Sequence, residues 1–265
     1  MRVVKDKFTM DPNVRHTLRL TLLVLIGCAA PCGWGAEPPS RAAEVTNAVA
    51  LAEANLAAAR KRFAAETTNS AAAWELGRAC WIWGKLLKDR NAQEQVYLEG
   101  VSASRRSASL DPKSVPAYYY LGMNIGRIAD LKRNLAAFSM VKEVEHAFQQ
   151  AAKLDATFSH GGPDRNLGLL YQHAPGWPLS LGNQKLARKH LERAAKLAPD
   201  YPENRLNLAE AYQEWREPKL FQQELEAIAR LWPGAKTNLA GVEWEMDWAD
   251  WENRRAKLAG TATTK

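Results

Sequence analysis

The chain has 265 residues, and 46% of them, including ten tryptophans, are hydrophobic, which is enough for a packed core and argues against disorder. Runs rich in Ala, Leu, Glu, Lys and Arg dominate and Val-Ile-Thr strand patterns are nearly absent, so the composition favours an all-α protein. The formal net charge is +7, but the Lys and Arg residues form no run interleaved with aromatic residues. This distribution argues against a nucleic-acid-binding surface.

Residues 1–35 have the pattern of a secretory signal peptide. Basic residues up to Arg19 precede the apolar run LTLLVLIG, which is too short to span a membrane, and Met10 is an alternative start. The Leu-Ile-Gly-Cys sequence ending at Cys28 resembles the bacterial lipobox, so we expect either cleavage before a lipidated Cys28 or ordinary cleavage near Gly35 or Ala36. Both alternatives predict an exported protein, in the periplasm or lipid-anchored in the cell envelope.

A long Ala-rich helix is predicted next, over residues 41 to 65 of an N-terminal segment at 36–69. Asn69 or Ser70 is placed to cap the following helix, which begins AAAWELG. That helix contains Cys80, the only cysteine beyond the N-terminal segment. A lone cysteine cannot form a disulfide framework, so we expect a small core side chain.

A repeat pattern occupies residues 70–235. Helical runs end in LDP, LDA, LAP and LWP, whose last residues are separated by 44, 43 and 34 positions: Pro112, Ala156, Pro199 and Pro233. The last interval equals the tetratricopeptide period, and the others correspond to that unit with about ten extra residues. The sequence therefore predicts an α/α superhelix of three or four helix pairs.

The interior of each unit supports this assignment. A small residue on the first helix allows the second helix to approach, and a bulky residue fills the space beside it. Leu167, Gly168 and Tyr171 are thus expected to face Ala187 and Leu191. The other units carry the same arrangement, and we expect Gly168 to contact Leu191.

Residues 236–265 are predicted to form a C-terminal helix and tail. Trp244, Trp248 and Trp251 follow a spacing of i, i+4 and i+7, which places them on one helix face. A terminal helix that covers the apolar side of the last repeat is expected of a solenoid, and a surface docking strip is the alternative.

The stretch HGGPDR, with the later APGWP, is predicted to form the corners of the third unit. Residues 159–163 make the turn into that unit, because paired glycines permit unusual backbone angles and a proline suits the first helical position. The segment HAPGWPLSLGN is an enlarged turn between the two helices of the unit. The loop motif comprises His160, Gly161, Gly162, Pro163 and Trp177.

Four stretches together resemble the TatT component family, tetratricopeptide proteins associated with tripartite ATP-independent periplasmic (TRAP) transporters. They are YYYLGMNIGRIA (118–129), HGGPDRNLGLLY (160–171), APGWPLSLGN (174–183) and APDYPENRLNLAEAY (198–212). The resemblance covers about residues 70–235. It implies an exported, often lipid-anchored helical-repeat protein that works beside the solute-binding subunit of such a transporter.

The resulting hypothesis is a non-enzymatic accessory component that binds a periplasmic solute-binding subunit or its ligand, with a small acidic solute as a candidate ligand. The alternative is a generic extracytoplasmic tetratricopeptide scaffold for protein–protein interaction with no transport role. We expect membrane contact only through an N-terminal lipid anchor. The sequence leaves the oligomeric state open, including a homo-oligomer.

An enzymatic interpretation would depend on His160, Asp164 and Arg165, which are close in sequence. A histidine beside a carboxylate can act as a general base. No nucleophile motif, phosphate-binding loop or second carboxylate accompanies them, and an acid is favoured at a helix start. The five histidines show no ligand spacing either. We therefore expect no catalytic residues, no metal and no cofactor.

The first helices of tetratricopeptide units line a concave groove, and aromatic and arginine side chains are typical binding anchors. We expect the groove to be lined by Trp74, Arg78, Trp81, Tyr119, Met123, Arg127, Arg165 and Gln172. For the aromatic residues, packing against the next helix is the competing interpretation. Arg165 is expected to face inward and offer a planar charged fork to a carboxylate.

Overall fold

The computed structural model describes residues 41–132, 135–176 and 180–262. Cys28 with the rest of the predicted signal segment, and Trp177 of the loop motif, lie outside the described residues. The described part forms α-helices and one 3₁₀ turn, and no β-strand occurs in it. The helices are α1 (Arg41–Ala65), α2 (Ser70–Leu86), α3 (Arg90–Leu110), α4 (Val115–Lys132), α5 (Leu135–Leu154), α6 (Phe158–His173), α7 (Gln184–Leu197), α8 (Pro202–Glu214), α9 (Pro218–Asn238) and α10 (Glu245–Ala262), and the 3₁₀ turn is Val242–Trp244.

Side-chain caps and prolines define many of the helix starts. The side chains of Asn69, Asp89 and Asn183 accept hydrogen bonds from first-turn N–H groups of α2, α3 and α7, at 2.8, 2.8 and 3.1 Å. Of the two caps considered for α2, the structure uses Asn69. Pro202 and Pro218 begin α8 and α9, where the missing N–H leaves no hydrogen bond unmade.

The helices from α2 to α9 form four pairs, which confirms the predicted tetratricopeptide-type superhelix. Each first helix packs against its second helix, as α2 does on α3 and α6 on α7. The predicted small-to-large contact is present in the third pair. A Cβ placed on Gly168 would lie 2.6 Å from Cγ of Leu191, and one on Gly122 would lie 2.9 Å from the Phe148 ring. Only glycine allows the helices to pack this closely.

Three of the four predicted repeat terminators directly follow the ends of α3, α5 and α7. The fourth prediction is wrong, because α9 continues through Pro233 to Asn238. A proline inside a helix removes a backbone hydrogen bond and costs about 3 kcal/mol. Burial of the surrounding turn offsets this cost, since Trp232 is 6% exposed and packs edge-to-face on Trp248 at 5.3 Å.

Helix α10 covers the apolar side of the last pair, as expected of a capping helix. Trp251 is 2% exposed and belongs to one cluster with Tyr201 and Ile228, against which Trp244 and Trp248 also pack. The tryptophan face is therefore largely core. Cys80 is likewise fully buried, as predicted.

The two ends of the described chain meet. Helix α1 packs on α2 through a face that includes Leu56, and it also contacts α10 and the 3₁₀ turn before it. The first helices α2, α4, α6 and α8, here called the inner row, contact one another in chain order, and α10 contacts α8. The superhelix thus brings α1, at its start, against α10 at its end.

The contact between Gly168 and Leu191 predicts that Gly168→Leu destabilises the protein. Overpacking this contact should cost roughly 1–3 kcal/mol or more. At this chain length, each kcal/mol lowers Tm by about 2–4 °C. Gly126→Leu is the matched control, because a Cβ placed on Gly126, on α4, has no atom within 4 Å. Thermal unfolding followed by circular dichroism measures both, and equal Tm values for the two variants would contradict the assigned packing.

Candidate binding groove

One face of α2 presents alternating aromatic and basic side chains to the interior. Trp74, Arg78, Trp81 and Lys85 follow spacings of 4, 3 and 4 residues and so share a helix face. Trp74 stacks on Tyr120 at 6.2 Å between ring centroids and 9° between planes, and Trp81 lies 6.3 Å from the same ring. Both tryptophans are half-buried and Arg78 is exposed. The structure thus brings three of the predicted groove residues to one surface.

On α4 the predicted groove position was one residue out of register. Tyr119 is 3% exposed and packs at 5.8 Å from Phe148 and 5.2 Å from Phe158, so it belongs to the core. Tyr120 takes the position beside the tryptophans instead. The chain has three consecutive tyrosines here, and helical periodicity alone does not select the one that faces inward.

The remaining predicted groove residues on α4 and α6 differ in whether their side chains already bond to other parts of the fold. Met123 and Arg127 are half-buried, and Met123 packs against the core cluster that contains Tyr120. Gln172 is half-buried, and its Nε2 donates a hydrogen bond to Glu214 at 2.9 Å. Gln172 therefore joins α6 to α8, whereas Arg127 forms no salt bridge with the described residues.

The HGGPDR segment forms the predicted turn into the third unit, as a kink within the range of α6. Ser159, His160 and Gly161 have φ values of 52°, 58° and 74°, which interrupt the helical backbone before Pro163. The left-handed conformation costs about 1–2 kcal/mol for a residue other than glycine. Two hydrogen bonds hold it, because Nη1 of Arg165 donates to the carbonyl oxygens of Ser159 and His160, both at 3.3 Å.

Arg165 does not face the groove as a free binding group, and that prediction was wrong. Its side chain is 5% exposed, its Nε lies 3.3 Å from Oε2 of Glu203, and its Nη1 donates to Oδ1 of Asn204 at 3.0 Å. The guanidinium also lies 5.1 Å from the centre of the Tyr201 ring. Burial disfavours the charge, but Glu203 and nearby tyrosine oxygens outweigh it and raise the pKa of Arg165. Neighbouring groups in the fold already occupy its hydrogen-bonding capacity.

The sequence-adjacent His160, Asp164 and Arg165 do not form one catalytic group. His160 stacks on Tyr201 at 4.3 Å and 5°, and burial, followed by the charge of Arg165, lowers the pKa of this histidine. Asp164 is fully buried, and its Oδ1 lies 2.8 Å from Nδ1 of His190 on α7. His160 and Arg165 thus share Tyr201, Asp164 bonds to α7, and the three side chains do not converge on one reacting atom.

Three acidic side chains that affect the pKa of Lys85 were missed by the sequence analysis. Glu203 on α8 and Asp247 and Asp250 on α10 interact electrostatically with the ammonium of Lys85. Burial raises the pKa of Asp247 and of Asp250, and burial lowers the pKa of Lys85. Lys85 could have been found by extending the α2 stripe one turn beyond Trp81. The acids could not, because they lie on α8 and α10, far from α2 in the sequence.

Two further properties concern the described residues as a whole. No group of His, Cys, Asp and Glu side chains in this part of the chain is arranged to hold a metal ion. None of the described helices combines the length and the apolar character needed to cross a bilayer.

Comparison with known proteins gives one family match. The model of the TRAP transporter T-component family matches residues 44–240. The crystal structure of MamA is similar over 76% of this chain and 98% of its own, with 16% identity and a TM-score of 0.46. No curated protein matches. The family match includes all four helix pairs and ends before α10.

The burial of Arg165 predicts a structural role that substitution reveals. Arg165→Ala should destabilise the protein by about 3 kcal/mol, at the lower end for buried ion pairs, because Glu203 keeps 31% exposure. Arg105→Ala is the control, since Arg105 pairs with Glu143 at the surface and such pairs contribute about 1 kcal/mol or less. Urea unfolding measures both free energies. Equal stability of the two variants would mean that Arg165 is not a structural residue.

Proposed function

The chain belongs to the TRAP transporter T-component family, and from that premise we propose that it is a non-enzymatic accessory protein that binds the solute-binding subunit of such a transporter or the ligand of that subunit. The observation that carries the proposal is the stripe of Trp74, Arg78 and Trp81 on the inner row. Tryptophan and arginine are the side chains most enriched among residues that dominate binding energy.

The arginines on this surface favour binding over a purely structural role. In the described part of the chain, neither Arg78 nor Arg127 forms a salt bridge, whereas Arg60, Arg105, Arg165, Arg188 and Arg254 do. Other arginines of the fold donate to backbone carbonyls, as Arg90 does to Leu131 and Arg106 to Thr67. Arg78 is exposed on the same helix face as the half-buried Trp74 and Trp81, so its guanidinium is available to a partner's carboxylates and carbonyl groups.

A non-enzymatic role is supported by the interactions that the candidate acid–base side chains already make within the fold. His160 is held against Tyr201, and Asp164 is held by His190 and by Arg193, whose Nη1 lies 3.4 Å away. Each of these side chains has a structural partner in the fold. The groove is therefore better equipped for recognition than for proton transfer.

The test is direct binding to the solute-binding subunit encoded beside the permease genes of the same organism. We expect a complex in size-exclusion chromatography and calorimetry, and Arg78→Ala should weaken it roughly tenfold or more. Arg105→Ala, on the outward-facing α3, is the control and should leave the affinity unchanged. If no complex forms at about 100 μM of each protein, binding to this subunit is refuted, and a scaffold without a transport role becomes the better explanation.

We further propose that the protein is exported and that the N-terminal segment is removed at or before Ala36. The support is the basic-then-apolar pattern that ends at Cys28. Mass spectrometry of the protein from its native host should find a mature N-terminus at Cys28 with a diacylglyceryl group, or a cut near Ala36 without one. An intact N-terminus in the cytoplasmic fraction would contradict export.

A further inference from the structure

Two tryptophans of α2 pack on the same tyrosine of α4. Trp74 stacks on the Tyr120 ring at 6.2 Å between centroids, and Trp81 lies 6.3 Å from that ring. Tyr120 is 8% exposed, whereas both tryptophans are half-buried. The tyrosine is therefore the buried support of an aromatic surface, and the tryptophans form the exposed part of that surface.

The charged side chains on the same face of α2 are all basic. Arg78 lies between the two tryptophans and is exposed. Lys85 follows one turn after Trp81, with its Nζ 4.0 Å from the centre of the Trp81 ring. The only acidic residue of α2 is Glu75, and its carboxylate is bonded to Arg62 of α1. The tryptophan face thus has positive charge that no carboxylate of its own helix neutralises.

Of the two basic side chains, Arg78 is the one that is open to a partner. Lys85 is half-buried and its ammonium lies over an indole ring, which already provides a favourable electrostatic contact. Arg78 is exposed and forms no salt bridge with the described residues. Its planar guanidinium matches the two oxygens of a carboxylate. Arg78 is therefore the side chain to which an incoming acid would bind.

The extent of this surface fits a protein segment better than a free solute. Trp74 and Trp81 are two turns apart, about 10 Å along the helix. A small-molecule site buries most of the surface of its ligand, whereas Arg78 is exposed to solvent. Tryptophan and arginine side chains together on an accessible face are typical anchors of protein–protein interfaces.

We propose that this surface, formed by Trp74, Arg78, Trp81 and Tyr120, docks an acidic segment of the partner protein. The carboxylate of an Asp or Glu of that segment binds the guanidinium of Arg78, and apolar side chains on either side of the acid lie across the exposed parts of the two tryptophans. This inference rests on the proposed function, because it names the chemistry of the partner surface at the same site. It assigns the site to a protein segment and not to the free solute.

The experiment is calorimetric titration of the chain with the solute-binding subunit at increasing salt. We expect the Kd to rise at least tenfold between about 50 and 500 mM NaCl, because salt screens the attraction of exposed charges. Arg78→Glu should weaken the complex about a hundredfold, more than Arg78→Ala, since like charges then meet. Arg78→Lys should keep the salt dependence but bind more weakly than arginine does, because an ammonium lacks the planar fork. Arg105→Glu, on the outward-facing α3, is the control and should bind as the unaltered chain does.

A charge exchange then identifies the acid of the partner. Each surface Asp and Glu of the subunit is replaced in turn by Lys. One replacement should weaken binding to the unaltered chain and restore at least tenfold of the affinity that Arg78→Glu loses, since the opposite charges meet again. Arg78 is exposed and has no salt bridge with the described residues, so its variants should keep the Tm of the unaltered chain in circular dichroism.

The possible results separate this inference from the proposed function. A complex that is insensitive to salt and unchanged by Arg78→Glu would overturn the acidic segment and leave the proposed function intact. The solute released from the subunit is also titrated onto the chain alone. Binding of that solute which Arg78→Ala abolishes would assign the site to the solute and overturn the docking of a protein segment. If no complex forms at any salt concentration, both the inference and binding to this subunit are refuted.

Discussion

The fold of the third and fourth repeats depends on one buried charge, the guanidinium of Arg165. A buried ion is stable only when its surroundings supply opposite charge and hydrogen-bond acceptors. Here Glu203 supplies the charge, while Asn204 and the carbonyls of Ser159 and His160 supply the acceptors. The same interactions stabilise the left-handed residues of the turn. The HGGPDR corner, α6 and α8 therefore form one unit around this side chain.

That unit also determines which of the nearby carboxylates are neutralised by ion pairs. Because Arg165 neutralises Glu203, and Arg254 interacts with Asp250, two of the three acids that affect the pKa of Lys85 are already compensated. Asp247 is left as the acid without a salt bridge among the described residues, and burial raises its pKa. The ion pairs thus tie Glu203 and Asp250 to the fold.

The sequence predicted contacts correctly where a repeated local pattern is determined by packing against the neighbouring helix. Gly168 and Leu191 were predicted to touch because their positions repeat between units, and they do. Patterns without such a constraint were ambiguous. Tyr119 and Tyr120 are chemically identical and both buried, so only packing distinguishes the one beside Phe148 and Phe158 from the one beside the tryptophans of α2. Pro233 has the sequence context of a terminator, yet the burial of Trp232 against α10 extends the helix through it.

The meeting of the two chain ends could not be predicted for a different reason, since its two sides come from the first and the last helix. Helix α1 packs on α2 and also contacts α10 and the 3₁₀ turn before it. Local patterns describe packing between helices that are neighbours in the chain, and no such pattern relates α1 to α10. The contact depends on the accumulated rotation of four stacked helix pairs, which the sequence of any one pair does not specify.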